Sequence, residues 1–447
     1  MRTSVLAFAL LMFGSLAAPA QTPGPSGPAA VTQSHNPEAS ADTDARAIPT
    51  AYTLPPDKSK RATRLERGRT LVYFGSALWG ILFLALALRW RLVASLRDLA
   101  AAATPRLWLQ GLIFLPLLLT LVSLADLPFS IAGHHLSLAY GQSIQPWESW
   151  AWDWTKATLL TVAGGTLVLS LLVAIMRRSE RRWWLWFWLL SIPLQVLLVF
   201  LGPYVVDPLF NHFEPLAQSN PALTDQLERV VARSNLAIPP SRMFLMRASE
   251  KYTGVNAYVT GFGASKRVVV WDTTIQKCPP DDVLFTFGHE QGHYVLNHVR
   301  DGIIGGFVGS LLGLYLAFHA VRWLLRLRGP AWEVTSTSDW AAVGVLLLVA
   351  SVLGFVAEPI VNGVSRTIEH HADIYGQEVI HGLVADPRRT AAESFQRMGE
   401  IWLDDPNPSP FVVFWTYSHP PIGQRLAFAA RYDPWRAGQH PRYLPAR

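Results

Sequence analysis

The stretch Phe287-Gly288-His289-Glu290-Gln291-Gly292-His293-Tyr294 decides how the rest of the chain is read. It sets two histidines four residues apart, with a glutamate directly after the first. Positions i and i+4 share one face of an α-helix, so His289 and His293 can hold one ion together. Glu290 is turned roughly 100° from His289 and can reach a water at that ion without being a ligand. Two neutral imidazoles, an open coordination position and a nearby base are what metal-assisted hydrolysis requires. Short matches of this kind also arise by chance, on helices whose histidines are merely packed. The ending of a soluble segment at this point, and a suitable third ligand downstream, favour the metal.

Working outward, the flanks are strongly apolar. Of 447 residues half are hydrophobic, only 16% are charged, and 18 are tryptophan. Several apolar runs reach about 20 residues, the length that crosses a bilayer core, so the chain reads as a polytopic membrane protein. Spans are expected at 70–88, 107–126, 157–176, 183–205, 303–325 and 340–362. The single cysteine, Cys278, excludes an internal disulfide and argues against a thiolate metal site. The net charge of +6 comes largely from arginines beside the apolar runs, which report orientation in the bilayer rather than nucleic-acid binding.

The remaining segments follow in order. Residues 1–20 carry Arg2, an apolar run and Ala18-Pro19-Ala20, which reads as a signal peptide or N-terminal anchor. Residues 21–56, rich in Pro, Ala, Ser and Thr, are expected to be a disordered linker. Lys58–Arg69 is basic and reads as a helix leading to the first span. Four spans make an N-terminal membrane domain over 57–205. Trp147, Trp150 and Trp154 recur at helical spacing, which suits either a helix lying in the membrane interface or a loop with packed tryptophans. A zinc domain carrying the histidine motif follows over 206–302, with helical character at Leu223–Leu236. Short strands are expected at Met243–Arg247, Ala257–Thr260 and Arg267–Trp271. The motif helix should start after Pro279-Pro280, capped by Asp281 or Asp282. A transmembrane hairpin over 303–362 leads to a soluble, mostly helical tail over 363–447.

Arginines cluster in the loops between spans one and two (Arg89, Arg91, Arg97, Arg106), between three and four (Arg177, Arg178, Arg181, Arg182), and after span five (Arg322, Arg326, Arg328). These loops share one side, which the positive-inside rule makes cytoplasmic. The motif helix and tail then face the extracytoplasmic side of a multi-pass cell (inner) membrane. A signal peptide agrees with this; the basic Lys58–Arg69 does not.

A third ligand must be a carboxylate or histidine on the same side as His289. Two spans separate it from the motif, and an even number returns the chain to its starting side. Glu369, in Ser365-Arg366-Thr367-Ile368-Glu369-His370-His371-Ala372-Asp373, meets this condition directly after a span. His370 and His371 are alternatives. Asp373, one turn on, can accept a proton from a ligand imidazole and fix its tautomer. His298 lies on another face and reads as packing or support.

These residues resemble the membrane-integral zinc proteases of the type 1 CAAX prenyl protease family. His289-Glu290-x-x-His293 and Ser365-Arg366-x-x-Glu369-x-x-Ala372-Asp373 carry the likeness. So do Asp207-Pro208-Leu209-Phe210, Asn256-Ala257-Tyr258 with Lys266–Thr273, and Tyr417-Ser418-His419-Pro420-Pro421 with Arg425. The resemblance covers about residues 57 to 432. It implies a mainly α fold, a ring of transmembrane helices around a chamber, capped by an α+β zinc domain with a small sheet. It further implies one Zn2+ on His289, His293 and Glu369, Glu290 as base, and His419 as stabiliser of the oxyanion. Asn256, Tyr258 and Arg425 would then contact a peptide or protein substrate, lipidated or not. Family members commonly have seven spans, against six here plus residues 1–20. The familiar eukaryotic members also keep the zinc domain in the cytosol, opposite to the arginine pattern. Rival readings are a broad-specificity quality-control protease and a zinc-binding scaffold that does not cleave; the intact Glu290 counts against the scaffold.

Overall fold

Backbone polar groups inside a bilayer must bond to each other, so each apolar run folds as a helix. In this computed structural model, which describes residues 47–444 except 235, 237, 262–265 and 437, and omits the side chains of 198–200, the helices outrun the apolar segments. They are α1 (Pro56–Arg89), α2 (Leu92–Ala103), α3 (Leu107–Ala139), α4 (Trp147–Arg178), α5 (Trp183–Leu201), α8 (His298–Trp332) and α9 (Ala342–Val379). Five of them, α1, α3, α4, α8 and α9, are long and apolar enough to cross a membrane. A bent pair, Trp183–Leu197 with Gly202–Leu209, makes a sixth span if counted as one. Five of the six expected spans are thus matched by single helices, and the sixth, at 183–205, only by the bent pair. Residues 1–20 and most of the expected linker lie outside the described residues.

The span helices close into a ring in the order α1, α3, α4, α5, α8, α9 and back to α1. Leu84, Phe114, Leu118, Leu172, Trp183 and Val345 lie in its shared apolar core. Polar side chains pair between ring helices, Tyr73 with Glu358 and Ser76 with Asp126. The three arginine-rich loops meet at one end: Arg91 pairs with Glu333, Arg97 with Asp339, and Arg177 lies over Trp340.

At the other end stands the domain that carries the histidine motif, with its own core around Leu227, Val270, Phe285, Tyr375 and Phe395. Strands β1 (Phe213–Pro215), β2 (Met243–Met246), β3 (Ala257–Thr260) and β4 (Arg267–Trp271) form one sheet in the order β1-β2-β4-β3. β2 runs parallel to β4, and the outer pairs are antiparallel. Helices α6 (Pro221–Val231), α7 (Pro280–Val295), α10 (Pro387–Trp402), α11 (Pro410–Thr416) and α12 (Ile422–Arg431) complete the domain.

Several expectations need correction. The boundaries at 302/303 and 362/363 fall inside α8 and α9, because neither helix stops where its apolar run does. Residues 47–55 are ordered rather than linker: Tyr52 is buried against Gly399, and its hydroxyl donates to the Asp404 carbonyl. Trp147, Trp150 and Trp154 belong neither to a separate interfacial helix nor to a loop. They open α4 itself, and Trp147 and Trp150 pack around His134. Neither Asp281 nor Asp282 caps α7, which starts at Pro280 without a side-chain cap; Asp282 instead accepts from Arg397 at 2.7 Å.

One contact positions the site. α7 crosses α9 so closely that a Cβ on Gly376 would stand 2.8 Å from the His289 amide nitrogen and 3.0 Å from its Cα. A Cβ on Gly288 would meet Val379 Cγ1 at 2.5 Å. The atoms facing Gly376 are backbone and cannot move aside. Gly376→Ala should therefore destabilise the protein by about 1–3 kcal/mol through overpacking. The check is the melting temperature and bound metal of the purified protein, and unchanged values for both would contradict the account.

Candidate active site

The close crossing brings three donors together. His289 Nε2 lies 3.3 Å from His293 Nε2, one turn along α7. Glu369, on α9, sets Oε2 3.1 Å from His289 Nε2 and Oε1 3.7 Å from His293 Nε2. One ligand atom from each of the three lies within 4.8 Å of the others. Ligands held at zinc distances around a tetrahedral ion stand roughly 3.3 Å apart, so the spacing fits. Glu369 Oε2 is buried and, although near two rings, makes no hydrogen bond of proper geometry. An orphaned buried carboxylate oxygen facing two imidazoles has the chemistry of a divalent-metal site.

Electrostatics agree. Burial opposes charge on His289, yet its hydrogen bond with Asp373 and the nearby Glu369 carboxylate outweigh that and raise it to about 10. The pocket therefore favours a cation between these groups. His293 is pushed down to about 3, chiefly by burial, which leaves it a neutral ring with a lone pair to give. Burial also pushes the Glu290 carboxyl up to about 7.

Support comes from a chain of three side chains. Asp373 Oδ1 sits 2.8 Å from His289 Nδ1, which leaves Nε2 as the nitrogen open to a metal. Arg425, on α12, grips the same carboxylate with Nε at 2.9 Å from Oδ2 and a terminal nitrogen at 2.6 Å from Oδ1. Expected against substrate, Arg425 is instead largely enclosed, its side chain 12% exposed, and paired with Asp373, with its guanidinium over Phe395. The arginine sits 52 residues from its partner, so spacing could not reveal the pair.

The other expected residues fall as follows. His419 Nε2 lies 3.1 Å from Glu369 Oε2, and its Nδ1 is 2.9 Å from Ser418 Oγ. His298 packs against His293, with 3.3 Å between their Nδ1 atoms. His370 stands edge-on to Phe428 and His371 beside Tyr443, both outside the three-donor group. Tyr258 packs into the cluster of Met246, Trp271 and Trp402, on the sheet face away from α7. Asn256 has its backbone locked by Thr274, and its carbonyl accepts from the Trp271 N–H. That bond sets the alternation along β3: Tyr258 pairs toward β4, while the backbone groups of Ala257 and Val259 face outward. The Val259 N–H accordingly points at Glu290. Two helix residues had no role assigned from sequence, Asn362 and Arg366; the latter, one turn before Glu369, was visible only as part of a motif.

A ring of membrane helices capped by a two-histidine, one-glutamate centre defines a membrane metallopeptidase. Comparison with known proteins places it further. Residues 217–433 match the profile of peptidase family M48, and residues 43–212 match that described as "CAAX prenyl protease N-terminal, five membrane helices". The Bacillus subtilis protein described as "Uncharacterized metalloprotease YhfN" is 36% identical over 332 residues, 74% of this chain and 76% of its own. The CAAX prenyl protease 1 homolog of Oryza sativa is 27% identical over 84% of this chain and 85% of its own. The crystal structure of S. mikatae Ste24p superposes with a TM-score of 0.73 at 22% identity, covering 85% of this chain and 90% of that one. The chain belongs to peptidase family M48 and is a membrane metalloprotease of the CAAX-protease type.

Removing the anchor of the ligand histidine should weaken the metal without removing a ligand. Asp373→Asn is expected to lower metal affinity about 10–100-fold, measured by titration in a metal-buffered solution; wild-type affinity would leave Asp373 without this role.

Proposed function

We propose that this protein is a zinc-dependent endopeptidase that cuts extended peptide segments at the membrane surface. The observation that carries this reading is the outward-facing edge of β3 running past Glu290 and the three donors. An extended substrate added to that edge as a further strand would lay its backbone across the site, with affinity from main-chain hydrogen bonds. Asn256, whose side-chain amide has no hydrogen-bond partner among the described residues, is placed to hold the entering backbone.

Within that geometry His289, His293 and Glu369 would hold the zinc. When bound, the ion would polarise the scissile carbonyl and lower the pKa of the attacking water. Glu290 takes a proton from that water and later delivers it to the leaving amine, a task suited to a carboxyl raised by burial. His419, half-exposed beside Glu369, donates from its ring to the negative oxygen that develops on the former carbonyl. Asp373 and Arg425 keep His289 in one tautomer throughout.

Substrates are peptides or proteins reached from the membrane surface. The arginine-rich loops lie at the end of the ring opposite the zinc domain, which supports an extracytoplasmic active site through the positive-inside rule. The basic Lys58–Arg69 stretch of α1, at the zinc-domain end, counts against it. On that face, lipidated peptides and exposed segments of damaged membrane proteins are the candidates. Prenylated cytosolic proteins, the class suggested by the relatives' names, would be reached only if the orientation were reversed.

Glu290→Gln tests the chemistry. Cleavage of a fluorogenic peptide by the zinc-loaded variant should drop by at least about 100-fold while bound zinc stays at one per chain; cutting at the normal rate would end the reading. Orientation has its own test. A C-terminal tag should be reached by protease added from the extracytoplasmic side of intact cells stripped of any outer envelope, and protection there would place the site in the cytosol.

A further inference from the structure

The loop that carries His419 joins α11 to α12, and only its far end, at Pro421 and Ile422, is seated against the zinc domain's own core. It follows α11, a helix of seven residues that packs on α9 and whose sequence, Pro410-Phe411-Val412-Val413-Phe414-Trp415-Thr416, offers no charged anchor. Its carbonyls are taken by two side chains of α9. Asn362 donates to the Trp415 carbonyl at 2.6 Å. Arg366 donates from one terminal nitrogen to two carbonyls, Val413 at 3.0 Å and Tyr417 at 2.6 Å. The Trp415 carbonyl is one that the end of a helix leaves without a backbone partner, while the Val413 carbonyl also accepts from the Tyr417 N–H at 3.4 Å. Tyr417 is held from a second side by Glu66 of α1. Two residues beyond Tyr417 stands His419, 3.1 Å from Glu369 Oε2.

The geometry points to Arg366 as the positioning residue for His419. It lies one turn before Glu369 on the same helix, so one rigid element sets both the third metal ligand and the place from which His419 approaches it. The guanidinium fixes the last turn of α11 and the first residue after it, and the ring of His419 follows from there through Ser418. A donor aimed at a developing oxyanion works only within a few tenths of an ångström of its productive position. Losing Arg366 should therefore cost turnover without costing the metal. Asn362 contributes in the same sense one turn earlier, through a single bond.

This inference rests on the role given to His419 above, and a double-mutant cycle separates the two. Arg366→Gln, Arg366→Lys, His419→Ala and the Arg366→Gln/His419→Ala pair are assayed as zinc-loaded full-length protein on one fluorogenic peptide. Bound zinc and melting temperature are measured alongside. Arg366→Gln should lower kcat about 10–100-fold with KM and zinc content within twofold of wild type. In the His419→Ala background the same change should cost less than about twofold, because the group it positions is gone. Arg366→Lys, which keeps a donor, should recover part of kcat. If His419→Ala alone turns over normally, the role of His419 fails. If His419→Ala is impaired but Arg366→Gln is harmless, or costs the same factor in both backgrounds, the positioning role fails. Should Arg366→Gln not fold, Asn362→Ala in the same cycle carries the test, with smaller but equally non-additive losses expected.

Discussion

The site depends first on how near α7 can come to α9. Both helices place glycine at the crossing, and the backbones meet where a side chain would hold them apart. Small residues serve the same purpose wherever helices pack without room for larger ones. Because His289 and Glu369 project from those two helices, their 3.1 Å separation is a property of the crossing rather than of either side chain. Asp373 reaches His289 for the same reason. A metal centre assembled from residues 80 apart in sequence needs such a fixed joint, since each flexible degree of freedom would loosen the ligand set.

Around that joint the charges are arranged so that none is left alone. Asp373 would be costly as an isolated buried carboxylate, but Arg425 and His289 satisfy both its oxygens. The same pair keeps His289 oriented. Glu369 is the exception: one of its oxygens is buried without a proper hydrogen bond, and that deficit is what a cation would fill. Stability and function part company at this one atom.

Much of this was legible in the chain. The apolar runs gave the span count, and the i, i+4 histidines gave the ligand face, because both depend only on local periodicity. Counting spans between His289 and Glu369 put the candidate third donor on the side where the structure sets it beside the two histidines, since membrane crossings convert sequence into sides. Asp373 followed from its one-turn spacing. Helix ends were less legible: α8 runs on to Trp332 and α9 to Val379, past their apolar runs, because hydropathy marks the buried run and not the helix. Arg425 was misread because a residue's partner across 52 positions leaves no local trace. Asp282 read as a cap until tertiary structure offered it Arg397.

The 38 residues of α9 amount to about 57 Å of helix, nearly twice a bilayer's hydrocarbon thickness. Its lower half is packed among the ring helices and its upper half bears Glu369. From Ala350, deep in the ring core, to Glu369 is a lever arm of about 28 Å. A tilt of only about three degrees at the base would swing the carboxylate by roughly 1.5 Å, far outside the ~0.2 Å tolerance of a metal–ligand bond. The closed ring is thus a jig for the site above it: the helices that pack around the base of α9 also set where its far end carries Glu369.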